Sequence, residues 1–538
     1  MELTRIAEES ARGSFFLMTG AAASTAMAAV ATILIARLIG PADYGLYSLV
    51  FVLPGLFAVI ADFGVSQAVT RYAASLRSQR NHGRLASMIG SGLLFNLVAG
   101  ALIWLLVFCF SDQLAASILQ RPGTGQLVRL ASVTILFQGF FTLSYRAFAG
   151  LDRMEQGAMI TILRDGTRVI MSPLLIVLGF GVAGAILGQV FGWVLAGLLG
   201  VWFLFAHRRV LLDMSSHRET ENGLRGDIRT MMGYGLPLYL GALLGTVLTQ
   251  YQNVVLAFYT SNAEIGNFNA ALNFGALTAI LSAPIQVALF PAFSKLDLQT
   301  GKDDLKRTFE LSVRYTTLLI VPVGVAVAVL SSDLIHVLYG AAYGLASAYL
   351  ALYSCMFLST ALGYIPVGVF FSGVGRTRET LKITLVQVGI FLVAAPVMAW
   401  LYRVPGLIVA LLISTLVAAG FGLWLVRKLG MHVGLKGSAR ALAAALASAI
   451  PILAFVYYSP LASLANVLIG GVIYVATYLT LVPFFGAVNR TDLEMLPPIL
   501  SQVKFLRPAS TLIFAYETHV LNALEQKTKS MASLWNTK

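Results

Sequence analysis

Apolar residues come in long runs along this chain, separated by short polar connections. A membrane-spanning helix needs about 20 mainly apolar residues. On that measure the pattern predicts fourteen spans: 14–36, 45–71, 85–110, 127–149, 158–179, 182–206, 232–259, 266–294, 309–331, 346–371, 380–400, 406–427, 439–459 and 464–485. Val169 to Ala206 carries no formal charge and is too long for one span, and Gly179, Gly181 and Gly184 predict the turn that divides it. Ala441 to Asn489 divides in the same way at Ser459-Pro460. The first run, Met18 to Ile35, follows Arg5 and Arg12 and ends at Arg37 and a Gly-Pro turn. With no small-residue cleavage pattern beside it, it reads as a spanning helix and not as a removable signal. The fold class predicted is all-α and polytopic.

Composition removes the competing classes. Of 538 residues, 58% are hydrophobic and 11% charged, whereas a soluble domain carries about 25% charge. Hydrophobicity excludes a disordered chain. Two cysteines, Cys109 and Cys355, both in apolar runs, exclude a disulfide scaffold. The net charge of +13 would suggest nucleic acid in a soluble protein. Here topology explains it, because basic residues collect in cytoplasmic loops. With fourteen spans and an inside N-terminus, the outer side holds only Arg37, Arg121, Arg129 and Arg403 of the 37 Lys and Arg. The expectation is a multi-pass plasma-membrane protein, both termini cytoplasmic, that binds no nucleic acid.

Two internal matches point to a repeat. Ala42-Asp43-Tyr44-Gly45-Leu46-Tyr47-Ser48 answers Ala263-Glu264-Ile265-Gly266-Asn267-Phe268-Asn269. Phe148-Ala-Gly-Leu-Asp-Arg153 answers Phe371-Ser-Gly-Val-Gly-Arg376. The offsets are 221 and 223 residues, and each pair sits at topologically equivalent helix ends. Such a repeat preserves direction and contains six helices, one known transporter plan. The predicted layout is an N-lobe at 1–206 (helices 1–6), a cytoplasmic loop at 207–231 and a C-lobe at 232–427 (helices 7–12). Helices 13 and 14 follow at 428–485, with a cytoplasmic tail at 486–538. In that tail Ile513, Tyr516, Val520 and Leu524 form an amphipathic stripe suited to the membrane surface or a partner helix.

Candidate chemistry is sparse. There is no GxxxxGK[ST] loop, no GxSxG elbow and no His/Cys/carboxylate cluster with metal spacing. No catalytic residue, metal or cofactor is predicted, and transport is favoured over catalysis. Ionisable groups inside spans are costly and mark functional sites by default. Arg164 and Arg168 fall about 9 and 15 Å into helix 5 at about 1.5 Å per residue, one turn apart on one face. Paired guanidiniums suit a diphosphate. The alternatives are pairing with Asp165, which points about 100° away on a helix, and snorkelling to the surface. Asp62 heads a stripe with Ser66 and Thr70 in helix 2 and is the candidate for a coupling cation. Gln250 and Asn253, with Thr246, line one face of helix 7. Asn269 and Asn273, followed by Ser282 and Gln286, line helix 8. These amides suit sugar hydroxyls, and equally suit helix–helix hydrogen bonds. Asp43 and Glu264 read as helix-start charges. Arg71, Arg146 and Arg314 read as interface anchors.

The segment ILIARLIGPADYGLYSLVFVLPGLFAVIADFGVSQAVTRYAASL, with VLYGAAYGLASAYLALYS further on, resembles prokaryotic polysaccharide-transport flippases. These form the oligosaccharide/O-antigen flippase family of the multidrug/oligosaccharidyl-lipid/polysaccharide exporter superfamily. The resemblance implies two six-helix lobes around a central cavity and alternating access. It implies transfer of a polyprenyl-diphosphate-linked oligosaccharide to the outer leaflet for surface polysaccharide or glycoconjugate assembly. Lipid-linked oligosaccharide, membrane lipids and polysaccharide-assembly proteins are the expected partners, and a monomer the expected state. Related lipid II flippases use cavity arginines near their first helix, and this chain has none between Arg12 and Arg37. Helix 5 is our substitute. The rival readings are an ion-coupled multidrug and toxin extrusion antiporter and a membrane glycosyltransferase or polymerase.

Overall fold

In a computed structural model the backbone is described for residues 2–206, 223–296, 301–431, 433–488 and a few positions between 516 and 522, with side chains from Gly20 onward. The 207–222 loop and, of the predicted tail stripe, Ile513 and Leu524 lie outside the described residues. Every regular element among those described is helical. Lipid offers a peptide group no hydrogen-bond partner, so a chain this apolar satisfies its backbone within helices. Nine helical runs among the described residues are long and apolar enough to cross a membrane. The chain is a multi-pass membrane protein.

Two compact units divide the helices. The first comprises residues 1–270 with 395–407, the second 271–394 with 408–538. In the first, α1 (Glu2–Val50) packs on α7 (Met154–Leu175), and α7 packs on α8 (Gly181–Ala206). The helices α2 (Val52–Asp62), α3 (Val65–Ser78), α4 (His82–Cys109), α5 (Ser111–Ser117) and α6 (Gly125–Gly150) complete its first layers. Their core gathers Val65, Leu85, Ile89, Leu143, Phe148 and Ile160. α9 (Gly223–Tyr259) and most of α10 (Asn262–Leu272) also belong to this unit. The second unit holds α11 (Gly275–Ser294), α12 (Lys302–Val329), α13 (Ser331–Tyr339), α14 (Gly344–Leu358) and α15 (Tyr364–Gly373). It also holds most of α16 (Thr377–Lys428), with α17 (Lys436–Ala447), α18 (Ala449–Tyr458) and α19 (Ser463–Phe484). Phe293, Phe309, Phe370 and Val426 form one of its cores.

Helix breaks decide where polar groups point. α7 and α8 make one run of 53 residues, about 80 Å at ~1.5 Å per residue, far beyond a ~30 Å hydrocarbon core. Gly179 (φ 95°) and Gly181 (φ 53°) turn the chain there, as their spacing predicts. Gly184 then lets α8 close on Leu175, where a Cβ would lie 2.8 Å from the Leu175 carbonyl carbon. A second break departs from expectation. The predicted helix 45–71 is interrupted at Phe63 (φ 45°) and Gly64 (φ 80°), both left-handed. Gly64 meets the backbone of Gly235 there, and a Cβ on Gly64 would lie 2.5 Å from the Gly235 carbonyl oxygen. The predicted 266–294 and 346–371 helices break likewise, at Asn273–Phe274 and at Ser359–Gly363.

Local geometry recurs at offsets of 220–223 residues, within one residue of those seen in the sequence. α4 and α12 are each 28 residues long, with first residues 82 and 302. Arg153 N–H donates to Phe148 O at 2.8 Å, and Arg376 N–H to Phe371 O at 2.8 Å. Gly181 and Arg403 share φ 53°, ψ −132°. Within the first unit, a Cβ on Gly45 would strike Asn262 O and Gly266 N, and a Cβ on Gly266 would strike Pro41 O and Gly45 N. Each partner is 221 residues from its counterpart, so the contact is reciprocal. Glu264 starts α10 in a capping box: Ser261 N–H and Oγ donate to its carboxylate at 3.0 and 2.9 Å, and Glu264 N–H returns to Ser261 Oγ at 3.3 Å. Partial burial opposes its charge, but those bonds and Arg403, 3.4 Å away, hold the carboxyl below its ordinary range. The stability this gives is present above the ordinary Glu range and is lost as pH falls through the depressed value.

Gly45→Val is expected to destabilise the detergent-solubilised protein by 1–3 kcal/mol or more, the usual cost of overpacking. Gly420→Ala, where a Cβ meets nothing within 4 Å, is the control and should be neutral or slightly stabilising. Thermal unfolding followed by size-exclusion fluorescence measures both, and equal behaviour would refute the contact.

Candidate functional site

Three charged residues of the first unit, Arg164, Asp165 and Arg168, lie within α7. α8 presents Gly184, Gly188 and Gly192 at four-residue intervals, and a Cβ on Gly192 would lie 2.6 Å from Arg164 O. Small residues at helical spacing let helices approach where lipid gives no hydrophobic drive between them. That approach holds Arg164, Asp165 and Arg168 against α1, α6 and α8.

Arg164 does not stay free. Its Nε donates to Asp165 Oδ1 at 3.0 Å and its Nη2 to Asp165 Oδ2 at 2.8 Å. The expected 100° divergence between neighbours holds for Cβ directions, but the long Arg arm curls back across it. Asp165 is buried, and Ser24 of α1 donates to it as well. The guanidinium lies 4.8 Å from the Trp193 ring centre and 5.0 Å from that of Phe141. Such cation–π contacts contribute about 0.5–2 kcal/mol. Beside it, Gly20, Ala21, Phe141, Tyr145, Thr161 and Arg164 help line a cavity of about 230 Å³. That is room for several water-sized groups at ~30 Å³ each, and not for a sugar chain.

Arg168, one turn on, differs. Its Nη2 donates to Thr32 Oγ1 at 3.1 Å, and the Tyr47 hydroxyl lies beside it. Tyr47 in turn donates to Gln189. The Arg168 Nε is buried without a hydrogen-bond partner, and no carboxylate among the described residues forms an ion pair with it. One of the two arginines is thus neutralised, and the other keeps its charge on a rim of hydroxyls and an amide. This cluster can hold an anion: a phosphate oxygen would satisfy the orphan N–H and offset the charge.

The remaining candidates lie elsewhere. Asn269 Nδ2 donates to Asn253 Oδ1 at 3.0 Å, joining α9 to α10, and also to Ile265 O at 2.9 Å. Gln250 lies over α2, its Nε2 2.7 Å from where a Cβ on Gly55 would stand. Asn273 donates to the Tyr339 hydroxyl at 3.2 Å within the second unit. Asp62 accepts from Ser66 N–H at 3.2 Å and from Ser66 Oγ, capping α3 across the Gly64 break. The break means that Asp62, Ser66 and Thr70 share no continuous helix, and Thr70 donates instead to Arg146 O at 3.0 Å. Sequence reasoning missed Tyr47, Thr32, Trp193 and Gln189. Gln189 carried a signal, as the only amide in the apolar run of α8.

A family described as polysaccharide biosynthesis protein matches residues 34–348. Stage V sporulation protein B of Bacillus subtilis is 21% identical over 355 residues, covering 61% of this chain and 66% of that protein. The probable low-salt glycan biosynthesis flippase Agl15 of Haloferax volcanii is 19% identical over 312 residues, 58% of this chain and 61% of that one. The chain thus spans about two thirds of the length of these curated relatives. Among solved structures, the lipid II flippase MurJ in an inward closed conformation superposes with a TM-score of 0.70 at 14% identity. That match covers 88% of this chain and 98% of that one, and it establishes a shared fold.

Because Asp165 is buried against Arg164, Asp165→Asn should destabilise the protein by about 3 kcal/mol, near the lower end for a broken buried pair. Arg164→Gln/Asp165→Asn together should cost less than the two single changes summed. Strictly additive losses in a denaturant series would show that the two charges are uncoupled.

Proposed function

This chain belongs to the polysaccharide biosynthesis protein family, and from that premise we propose that it is a flippase for a polyprenyl-diphosphate-linked oligosaccharide. In this reading the protein is a transporter and not an enzyme. It works by alternating access between two six-helix lobes, helices 1–6 and 7–12, with helices 13 and 14 appended. Counting the three longest of the nine runs as two crossings each gives twelve; adding Gly223–Tyr259 and the broken 262–294 segment brings the proposed number to fourteen, and the shared geometry near offsets of 220–223 supports the repeat. Basic-residue asymmetry supports cytoplasmic termini in the plasma membrane.

One observation carries the substrate class: Arg168 keeps an intramembrane positive charge, has a buried N–H without a partner, and has no carboxylate among the described residues. A diphosphate supplies the missing acceptors. Gln250, Asn253, Asn269 and Asn273 serve the sugar once the contacts they now make are exchanged for its hydroxyls, and Asp62 is the proposed coupling acid. An inside-negative potential favours outward movement of the anion, by about 2.3 kcal/mol per charge at 100 mV.

Reconstituted proteoliposomes test this. Wild type should expose a lipid-linked oligosaccharide to an external glycosidase. Arg168→Ala should lose at least tenfold in rate, and Arg168→Lys should keep an intermediate rate, since Lys retains charge without the fork. Ion-coupled efflux of cationic drugs, with no flipping, would establish the multidrug reading instead.

Topology has its own test. Cysteines placed at Ser216 and Asn262 should label from opposite faces of the membrane. Labelling from one face would refute the fourteen-span arrangement.

A further inference from the structure

A second basic site lies away from α7's buried cluster, where α3 meets α4 and α6 meets α7. A cavity of about 320 Å³ opens there. Its floor is apolar: Leu85, Ile89 and Phe148 are each 1% exposed, and Leu204 is 4% exposed. Its rim carries Arg77, His82, Arg153 and Gln156, with Asp152 as the one carboxylate. Arg77 Nη1 donates to Leu151 O at 2.7 Å and pairs with Asp152. The Arg77 Nε and Nη2 make no hydrogen bond among the described residues. Gln156 Oε1 is buried without a partner. α4 starts at His82 and α7 at Met154, so two positive helix ends face the same rim.

The chemistry of this cavity is two-part. A free guanidinium edge under a net positive rim takes a phosphate. A fully apolar floor takes hydrocarbon, which a soluble anion does not have. We propose that this cavity binds the headgroup of an anionic phospholipid, with phosphate on Arg77 and Arg153 and the upper acyl chain over Phe148 and Leu204. A glycerol headgroup hydroxyl donates to Gln156 Oε1. Basic pockets between membrane helices are suited to such lipids. The assignment is independent of what the protein transports, because it needs only a bilayer around the helices.

The test uses the purified full-length protein in mild detergent, with thermal unfolding followed against added lipid. Phosphatidylglycerol should raise the midpoint in a saturable way and phosphatidylcholine should not. Removing the acid by Asp152→Asn should tighten phosphatidylglycerol binding about fivefold, and Arg77→Gln should weaken it about fivefold, as expected for one charge near a membrane surface. The gain in Asp152→Asn cannot come from misfolding, so it decides the matter if Arg77→Gln proves unstable. Equal protection by phosphatidylcholine would overturn the proposal. So would an unchanged affinity in Asp152→Asn. Inorganic diphosphate protecting as well as the lipid, and competing with it, would show a free-anion site and overturn the lipid assignment.

Discussion

A bilayer interior cannot hydrogen-bond to a peptide group, and the rest of this structure follows from that constraint. Spanning backbone becomes helix, and turns are confined to places where glycine or a neighbouring backbone shields them. The break at Phe63–Gly64 is an instance: the opened backbone faces Gly235, and Asp62 supplies the cap that α3 would otherwise lack. The same constraint explains the glycine contacts. Apolar side chains gain nothing by leaving lipid for one another, so helices associate through close backbone approach and a few polar bonds. The contact at Gly45 and Gly266 and the glycine seam of α8 both serve this end.

Charge inside such a bundle is either cancelled or held for use. Arg164 is cancelled by Asp165 and flanked by two aromatic rings. Arg168 is solvated by Thr32 and the Tyr47–Gln189 pair, with no carboxylate among the described residues. Hydroxyls and amides can be exchanged for phosphate oxygens at little electrostatic cost. A buried carboxylate could not be displaced so cheaply, because both charges would first have to be separated in a low-dielectric interior. That difference makes Arg168 the better candidate for a group that must bind and release an anion.

Much of this was legible in the sequence. Apolar run length dictates helices, because only one backbone form satisfies itself in lipid. Gly179 and Gly181 turn the chain where their spacing predicts, since few other residues adopt those positive φ values without strain. The 221-residue offset is visible in a heptapeptide, and Arg164 and Arg168 stand out because charge within an apolar run is expensive. Asp165 was legible as a candidate partner for the pair, but which of the two arginines it would neutralise was not. Arg164 and Arg168 look equivalent along the chain, one turn apart on one helix. Tertiary packing separates them: Ser24 of α1 fixes the Asp165 carboxylate that pairs with the first, while α1 brings Thr32 and Tyr47 to the second, with Gln189 of α8 holding Tyr47. The Ser24–Asp165, Thr32–Arg168 and Tyr47–Gln189 bonds join residues 141, 136 and 142 positions apart, and no local periodicity encodes them. The Asp62 stripe failed for a related reason, because the helix break at Gly64 depends on Gly235, a residue far along the chain. Local physics set which segments are helices and which charges are costly, while long-range packing decided which of those charges remain free.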